Sequence, residues 1–224
     1  MIRTELIQQG SFLFRYRSFL PILMAIPLAL ALLNPSPLFN GTHTVGASAW
    51  TIFAMTVSSL GLLVRMLTIG FVPVGTSGRN TKQQIADSLN TTGLYSMVRH
   101  PLYVGNFLIW FGIVLYTADI PICLMFICAY WLYYERIMAA EENFLAGKFG
   151  EKYHNWAAST PAFVPHLKAW TRPSMPFSLR TVLRREYCAV LGIGFGFAAI
   201  SVVRHAMTDG QLLADSVSIV VFPA

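Results

Sequence analysis

Residues 101–142 read PLYVGNFLIWFGIVLYTADIPICLMFICAYWLYYERIMAAEE. Two apolar runs, Leu102 to Ala118 and Ile120 to Ala140, are separated by a turn no longer than Thr117 to Pro121. Each run approaches the ~20 residues that carry an α-helix across a bilayer. Pro101 suits the first position of a helix, where the missing N–H has no partner to lose. So short a turn makes the two helices a tight antiparallel hairpin with both far ends on one membrane side. Arg99-His100 and Glu141-Glu142, which lie at those two ends, are therefore expected to share one border.

Further apolar stretches flank the hairpin at about 17–34, 49–72 and 187–204, so an all-α, polytopic integral membrane protein of about five spans is expected. Residues 1–224 form a single domain in this reading, with one long polar segment at 141–186. Composition agrees: 55% of the chain is hydrophobic and 12% charged, where a soluble domain carries ~25% charged residues. The first run follows Arg3, Arg15 and Arg17, as in a signal peptide. However, Pro21 and Pro27 interrupt it and no small-residue cleavage site follows, so a membrane helix is expected. The tail from Gln211 to Phe222 is apolar but short for a span.

Charge sets the orientation. The Asn34–Ala47 loop and the Asp119 turn contain no Lys or Arg, whereas the amino terminus, the Pro73–His100 loop and the Glu141–Glu186 segment are basic. The positive-inside rule then puts those three regions, and the amino terminus, in the cytoplasm, as in a bacterial inner membrane. The net charge of +6 belongs to this lipid-facing pattern rather than to a nucleic-acid surface. Cys123, Cys128 and Cys188 lie in apolar runs at no metal-site spacing, and His154 and His166 lack a ligand partner, so no metal is expected. Gly192-Ile-Gly-Phe-Gly196 follows no strand; Gly192, Gly196 and Ala199 are expected to admit a neighbouring helix.

The chemistry concentrates at the hairpin's open end. A helix starting at Pro101 offers free N–H groups and a positive dipole end, which suit an anion. Gly105, one turn in, leaves room for a flat ligand. Two carboxylates opposite an Arg-His pair can hold a zwitterion, and S-adenosylmethionine carries a zwitterionic amino-acid group and a ribose. The plainer alternative is an interfacial salt bridge of small energetic weight. Gly75-Thr-Ser-Gly-Arg79-Asn80 offers donors for phosphate or carboxylate oxygens, or is an ordinary polar loop. Arg65, an ionisable residue within a span, points to function by default, or snorkels to the border.

Arg99-His100-Pro101-x-Tyr103-x-Gly105, followed after one hairpin by Glu141-Glu142, resembles the isoprenylcysteine carboxyl methyltransferase and phospholipid methyltransferase superfamily. Phe149-Gly150-x-x-Tyr153-x-x-Trp156 and Thr160-Pro161-x-Phe163-x-Pro165 match the family's following segment, with Trp156 where Tyr is commoner. Arg65 is similar to the family's arginine late in the preceding helix. The likeness covers about residues 60–166, and the Gly75–Asn80 run also resembles the lipid A 1-phosphate methyltransferase branch. The resemblance implies that His100, Pro101, Tyr103 and Gly105 line an S-adenosylmethionine site, with Glu141 and Glu142 on its ribose or amino group. Arg99, joined by Arg65 and Arg79, becomes the candidate for orienting the acceptor, and Arg79, Asn80 and Asn106 for binding it.

Displacement at a sulfonium needs alignment above all. An ionised phosphate or carboxylate needs no general base, whereas an amine must first lose a proton. Methyl transfer to a lipid-borne anionic oxygen, lipid phosphate or prenylcysteine carboxylate, is therefore expected. A phosphatidylethanolamine N-methyltransferase, an NADPH-dependent sterol-type reductase and a non-enzymatic lipid-binding or transport protein remain as alternatives.

Overall fold

The computed structural model describes residues 2–17, 45–73 and 86–209. The expected first span at about 17–34, the loop holding Arg79 and Asn80, and the tail beyond 209 lie outside the described residues. Within them the chain is helical: α1 (Ile2–Tyr16), α2 (Val45–Gly70), α3 (Pro101–Leu115), α4 (Ile120–Phe149), α5 (Glu151–Ser159) and α6 (Leu179–Asp209). Among the described residues the only strand-like feature is an isolated bridge between Gly93 and Thr171. α2 from Ser48, α4, and α6 to Arg204 are long and apolar enough to cross a membrane; α3 is apolar but shorter.

The hairpin forms as its sequence dictates. Asp119 caps α4 by accepting the Ile122 N–H at 2.9 Å, and Pro121 occupies the first turn. The Thr117 hydroxyl donates to the Val114 carbonyl at 2.7 Å, and Ala118 takes a positive φ of 55° to turn the chain. At the same end Trp50 Nε1 donates to the Leu115 carbonyl at 2.6 Å and Arg204 lies over the Tyr116 ring at 4.3 Å. Helix-terminal carbonyls that would otherwise lack partners are met there by side chains.

α2 and α3 meet along a seam of small residues. A Cβ on Gly61 would lie 2.6 Å from both the Gly105 carbonyl oxygen and the Ile109 nitrogen, and one on Gly112 2.6 Å from the Ala54 carbonyl. Ser58, one turn before Gly61, donates to the Ile109 carbonyl at 2.8 Å. Close backbone approach of this kind drives helix association where lipid offers no hydrophobic contrast. On α6 only part of the expected small-residue contact forms: Gly196 meets Ile113, while Gly192 and Gly194 have no atom within 4 Å of a modest side chain.

Three boundaries differ from the sequence expectation. α4 continues through Glu141-Glu142 to Phe149, because glutamate is a good helix former; the helix stops at Gly150, whose φ is 53°. α6 begins at Leu179 rather than 187, since the Ser178 hydroxyl accepts the Thr181 N–H at 3.3 Å and the Ser178 N–H donates to the Gly70 carbonyl at 2.8 Å. α1, expected only as a basic amino terminus, is a helix packed on α4. Gly10 sits against the Arg136 carbonyl, Arg136 Nε donates to Gln9 at 2.7 Å, and the Tyr133 hydroxyl donates to the Leu13 carbonyl at 3.1 Å.

The seam gives a direct test. Gly61→Val should destabilise the protein by about 1–3 kcal/mol through overpacking, read as a lower thermal midpoint in detergent. Gly147→Ala, at a helical position with open space around it, should leave the midpoint unchanged or raise it.

Candidate functional site

The mouth of α3 is held from outside the hairpin. Arg99 and His100 donate their backbone N–H groups to the carbonyls of Pro161 and Ala162 at 2.8 and 3.3 Å, and His166 donates to the Met97 carbonyl at 2.9 Å. Trp156 Nε1 donates to the Tyr95 carbonyl at 3.1 Å, so this tryptophan clamps the loop. Phe163 follows it in, edge-on to Phe107 and Trp131 at 5.9 and 5.6 Å. The segment after α5 thus fixes the backbone that presents Arg99 and His100.

The imidazole of His100, only 4% exposed, lies between the two glutamates: Nε2 is 3.0 Å from Glu142 Oε1 and Nδ1 is 3.6 Å from Glu141 Oε2. Arg99 Nε lies 3.3 Å from the same Glu142 oxygen, but its N–H is not aimed at it and has no hydrogen-bond partner among the described residues. The Tyr153 hydroxyl, buried beside Arg99 and Glu142, is likewise without a partner among them. Burial disfavours the charged imidazole, but hydrogen bonds and charge from Glu141 and Glu142 outweigh it and raise the His100 pKa above the ordinary value. Burial beside the Glu142 charge lifts the Tyr153 phenol to about 12.

Pro101 is buried at the first position of α3. The buried Tyr103 ring stacks on His100 at a centroid distance of 5.5 Å, and its carbonyl accepts the Tyr130 hydroxyl at 2.6 Å. Gly105 faces α2: a Cβ there would lie 2.5 Å from the Arg65 stem and 2.9 Å from the Gly61 carbonyl. Its smallness serves helix packing at this place. Arg79 and Asn80 lie outside the described residues.

A second cluster lies deeper. Arg65 Nε and Nη2 donate to the two oxygens of Glu186 at 2.7 and 2.6 Å, and Nη1 donates to Asn106 Oδ1. Arg65 does not stand as an isolated cation inside a span; its charge is met by a carboxylate 1% exposed. Glu186 escapes a reading that starts the last span at 187. The signal was present, because a helix begun at Ser178 puts Glu186 on one stripe with the buried Val182, Phe197 and Ile200. Tyr134 was visible only as one aromatic residue among several. Here it lies 4.1 Å from Tyr130 and 4.9 Å from Tyr103, between the two clusters. Among the described residues no group of three His, Cys, Asp or Glu is placed to hold a metal ion.

The raised pKa of His100 carries a pH signature. Its stabilising charge is fully present below the unfolded-state value of about 6.5 and is lost as pH rises through the raised folded-state value. The thermal midpoint of the ligand-free protein should therefore fall across that window. His100→Gln should remove this contribution, so that the midpoint of wild type minus variant falls across the same window.

The sequence model of the phospholipid methyltransferase family matches residues 50–152, from α2 through the glutamate pair. The nickel-cobalt-cadmium resistance protein NccN of Alcaligenes xylosoxydans xylosoxydans is 32% identical over 209 residues, 82% of this chain and 95% of that protein. A protein-S-isoprenylcysteine O-methyltransferase of Schizosaccharomyces pombe is 31% identical over 77 residues, 34% of this chain and 33% of its own. A methanethiol S-methyltransferase of Crocosphaera subtropica is 35% identical over 78 residues, 34% of this chain and 29% of its own. No solved structure matches the chain. The Arg-His mouth and glutamate pair, read from residues and found together in space, lie within the span matched by the family: the chain belongs to the isoprenylcysteine carboxyl methyltransferase and phospholipid methyltransferase superfamily and is a membrane methyltransferase.

Proposed function

We propose that this enzyme transfers a methyl group from S-adenosylmethionine to an anionic oxygen on a lipid or lipidated group. The acceptor is a lipid phosphate, such as the lipid A 1-phosphate, or a prenylcysteine carboxylate. In this reading the site opens at the cytoplasmic border of about five spans, with the amino terminus on that side of a bacterial inner membrane. The observation that carries the proposal is the bridging of Glu141 and Glu142 by His100 at the mouth of α3.

The donor set fits the cosubstrate. Glu141 and Glu142 keep 32% and 26% of their side chains exposed while the histidine between them is closed off, so an ammonium or ribose hydroxyls can reach the carboxylates. The unpartnered Tyr153 hydroxyl and Arg99 N–H supply donors beside them. Bound S-adenosylmethionine supplies an electrophilic methyl: the acceptor oxygen's lone pair bonds to the methyl carbon as the C–S bond breaks, and that electron pair stays on sulfur to leave S-adenosylhomocysteine. His100 holds the two carboxylates at fixed spacing. Arg99, tied through its backbone to Pro161, places a guanidinium at the border where an anionic headgroup arrives. No residue has to remove a proton from such an acceptor, which favours oxygen over an amine.

Glu142→Ala and Glu141→Ala should each weaken S-adenosylmethionine binding by at least tenfold, on the order of a hydrogen bond to a charged group, without lowering the yield of folded protein. Equilibrium dialysis with labelled cosubstrate reads the binding. Mass spectrometry of a total lipid extract incubated with wild type should show one class gaining a single methyl. Undiminished binding by both variants would overturn the site assignment.

A relative matched over most of its length is named for nickel-cobalt-cadmium resistance. We infer that any contribution of this chain to metal tolerance runs through methylation. In a metal-sensitive deletion strain, wild type should then restore growth and Glu142→Ala should not; equal rescue by both would separate the phenotype from the chemistry.

A further inference from the structure

We infer that Glu186 is a positioning residue for the acceptor end of the site: through Arg65 it fixes the Asn106 amide with its NH2 group turned away from the guanidinium, so that the site takes an acceptor atom with a lone pair, an ionised oxygen or a thiolate, and disfavours an ammonium. This rests on the methyl-transfer reading above and names the acceptor chemistry of the same site.

The orientation follows from what each group can do. A guanidinium has five donors and no acceptor, so the Asn106 atom facing Arg65 Nη1 is its carbonyl oxygen. The amide NH2 is then directed away from Arg65, and Asn106 lies one turn after Tyr103 on the same side of α3. Tyr134 lies 4.9 Å from Tyr103, whose ring stacks on His100. A continuous polar and aromatic path therefore joins Glu186 on α6, Arg65 on α2 and Asn106 on α3 to the glutamate pair.

Glu186 acts on this path in two ways. Its two-point grip fixes the guanidinium plane, and with it the direction of Nη1. It also cancels the Arg65 charge inside a span, where an unpaired ion is expensive. The pocket's preference for a lone pair thus comes from oriented N–H donors rather than from net positive charge.

An isosteric exchange tests this. Glu186→Gln combined with Asn106→Asp swaps one oxygen and one NH2 between two sites, keeps the net charge, and leaves Arg65 facing one carboxylate. Three probes are offered with labelled S-adenosylmethionine: N-acetyl-S-farnesylcysteine, vesicles containing a lipid phosphate monoester, and vesicles containing phosphatidylethanolamine. Wild type should methylate one or both of the first two in preference to the third. The double variant should bind S-adenosylmethionine as wild type does but lose about 10- to 100-fold in kcat/KM for the anionic probe, the scale of one hydrogen bond to a charged group. Glu186→Gln alone should raise KM for that acceptor at unchanged cosubstrate affinity. Asn106→Asp alone should move the preference ratio towards the amine, which a merely structural role would not.

Wild-type transfer rates in the double variant would overturn the inference while leaving methyl transfer intact. Loss of cosubstrate binding in that variant would also overturn it, by showing that the cluster shapes the other end of the site. A wild type that binds no S-adenosylmethionine would sink the methyl-transfer reading and this inference with it.

Discussion

Two glutamates adjacent in one helix repel each other where water is partly excluded, and His100 relieves this by lying between them. Everything around the mouth of α3 serves that placement. Counted along an antiparallel hairpin, the start of α3 lies level with a point on α4 about one to two turns before Glu141. Two features close the gap. Side chains on α4 lean towards its own N-terminus, so the glutamates reach back towards the hairpin. His100 sits just before α3 with a non-helical backbone, φ −123° and ψ 60°, and so stands beyond the helix end. Neither feature would suffice with a mobile loop, which is why the contacts of Arg99, His100, Met97 and Tyr95 with α5 and the segment after it matter as much as the ion pairs.

The two charged clusters solve the same electrostatic problem differently. At the mouth, charge is balanced but the carboxylates remain open to solvent, so that on the proposed reading a ligand cation exchanges with the imidazole for them. Around Arg65, the balancing carboxylate is sealed and bound at two points. Charge that must be available to a ligand sits at the border, where partial hydration makes exchange inexpensive. Charge that only orients a neighbour sits deeper, where breaking the pair would leave an uncompensated ion at a cost of about 3–5 kcal/mol.

What the sequence made legible was whatever neighbours in the chain could decide. Asp119 and Pro121 announce the turn, and the turn puts Glu141 and Glu142 at the same end of the hairpin as Arg99 and His100. Glu186 was hidden for the opposite reason. It lies 121 residues from Arg65, and its helix starts at Leu179, eight residues before hydropathy announces a span. The partner of a buried charge can sit in the flank of an apolar run, which a window tuned to apolar residues discards. The clamp from Trp156 to Tyr95 is a contact of side chain with backbone across a fold, and no periodicity encodes it. Gly105 shows a third limit. Its presence was legible, but whether a glycine admits a ligand or a helix depends on which face it turns, and here that face meets α2.

Between the clusters the protein places phenols rather than charges. Tyr103, Tyr134 and Tyr130 form a stack in which each hydroxyl can donate or accept while the rings contribute apolar surface. A phenol can be buried with one hydrogen bond where a carboxylate or ammonium needs a counterion. These buried rings join the two clusters without placing a formal charge between them and keep bulk water out. Water exclusion is what a displacement at a sulfonium requires, since water itself competes as an acceptor. On the proposed reading, in which a lipid's charged end meets S-adenosylmethionine, keeping the formal charges paired in the two clusters leaves only oriented dipoles between them.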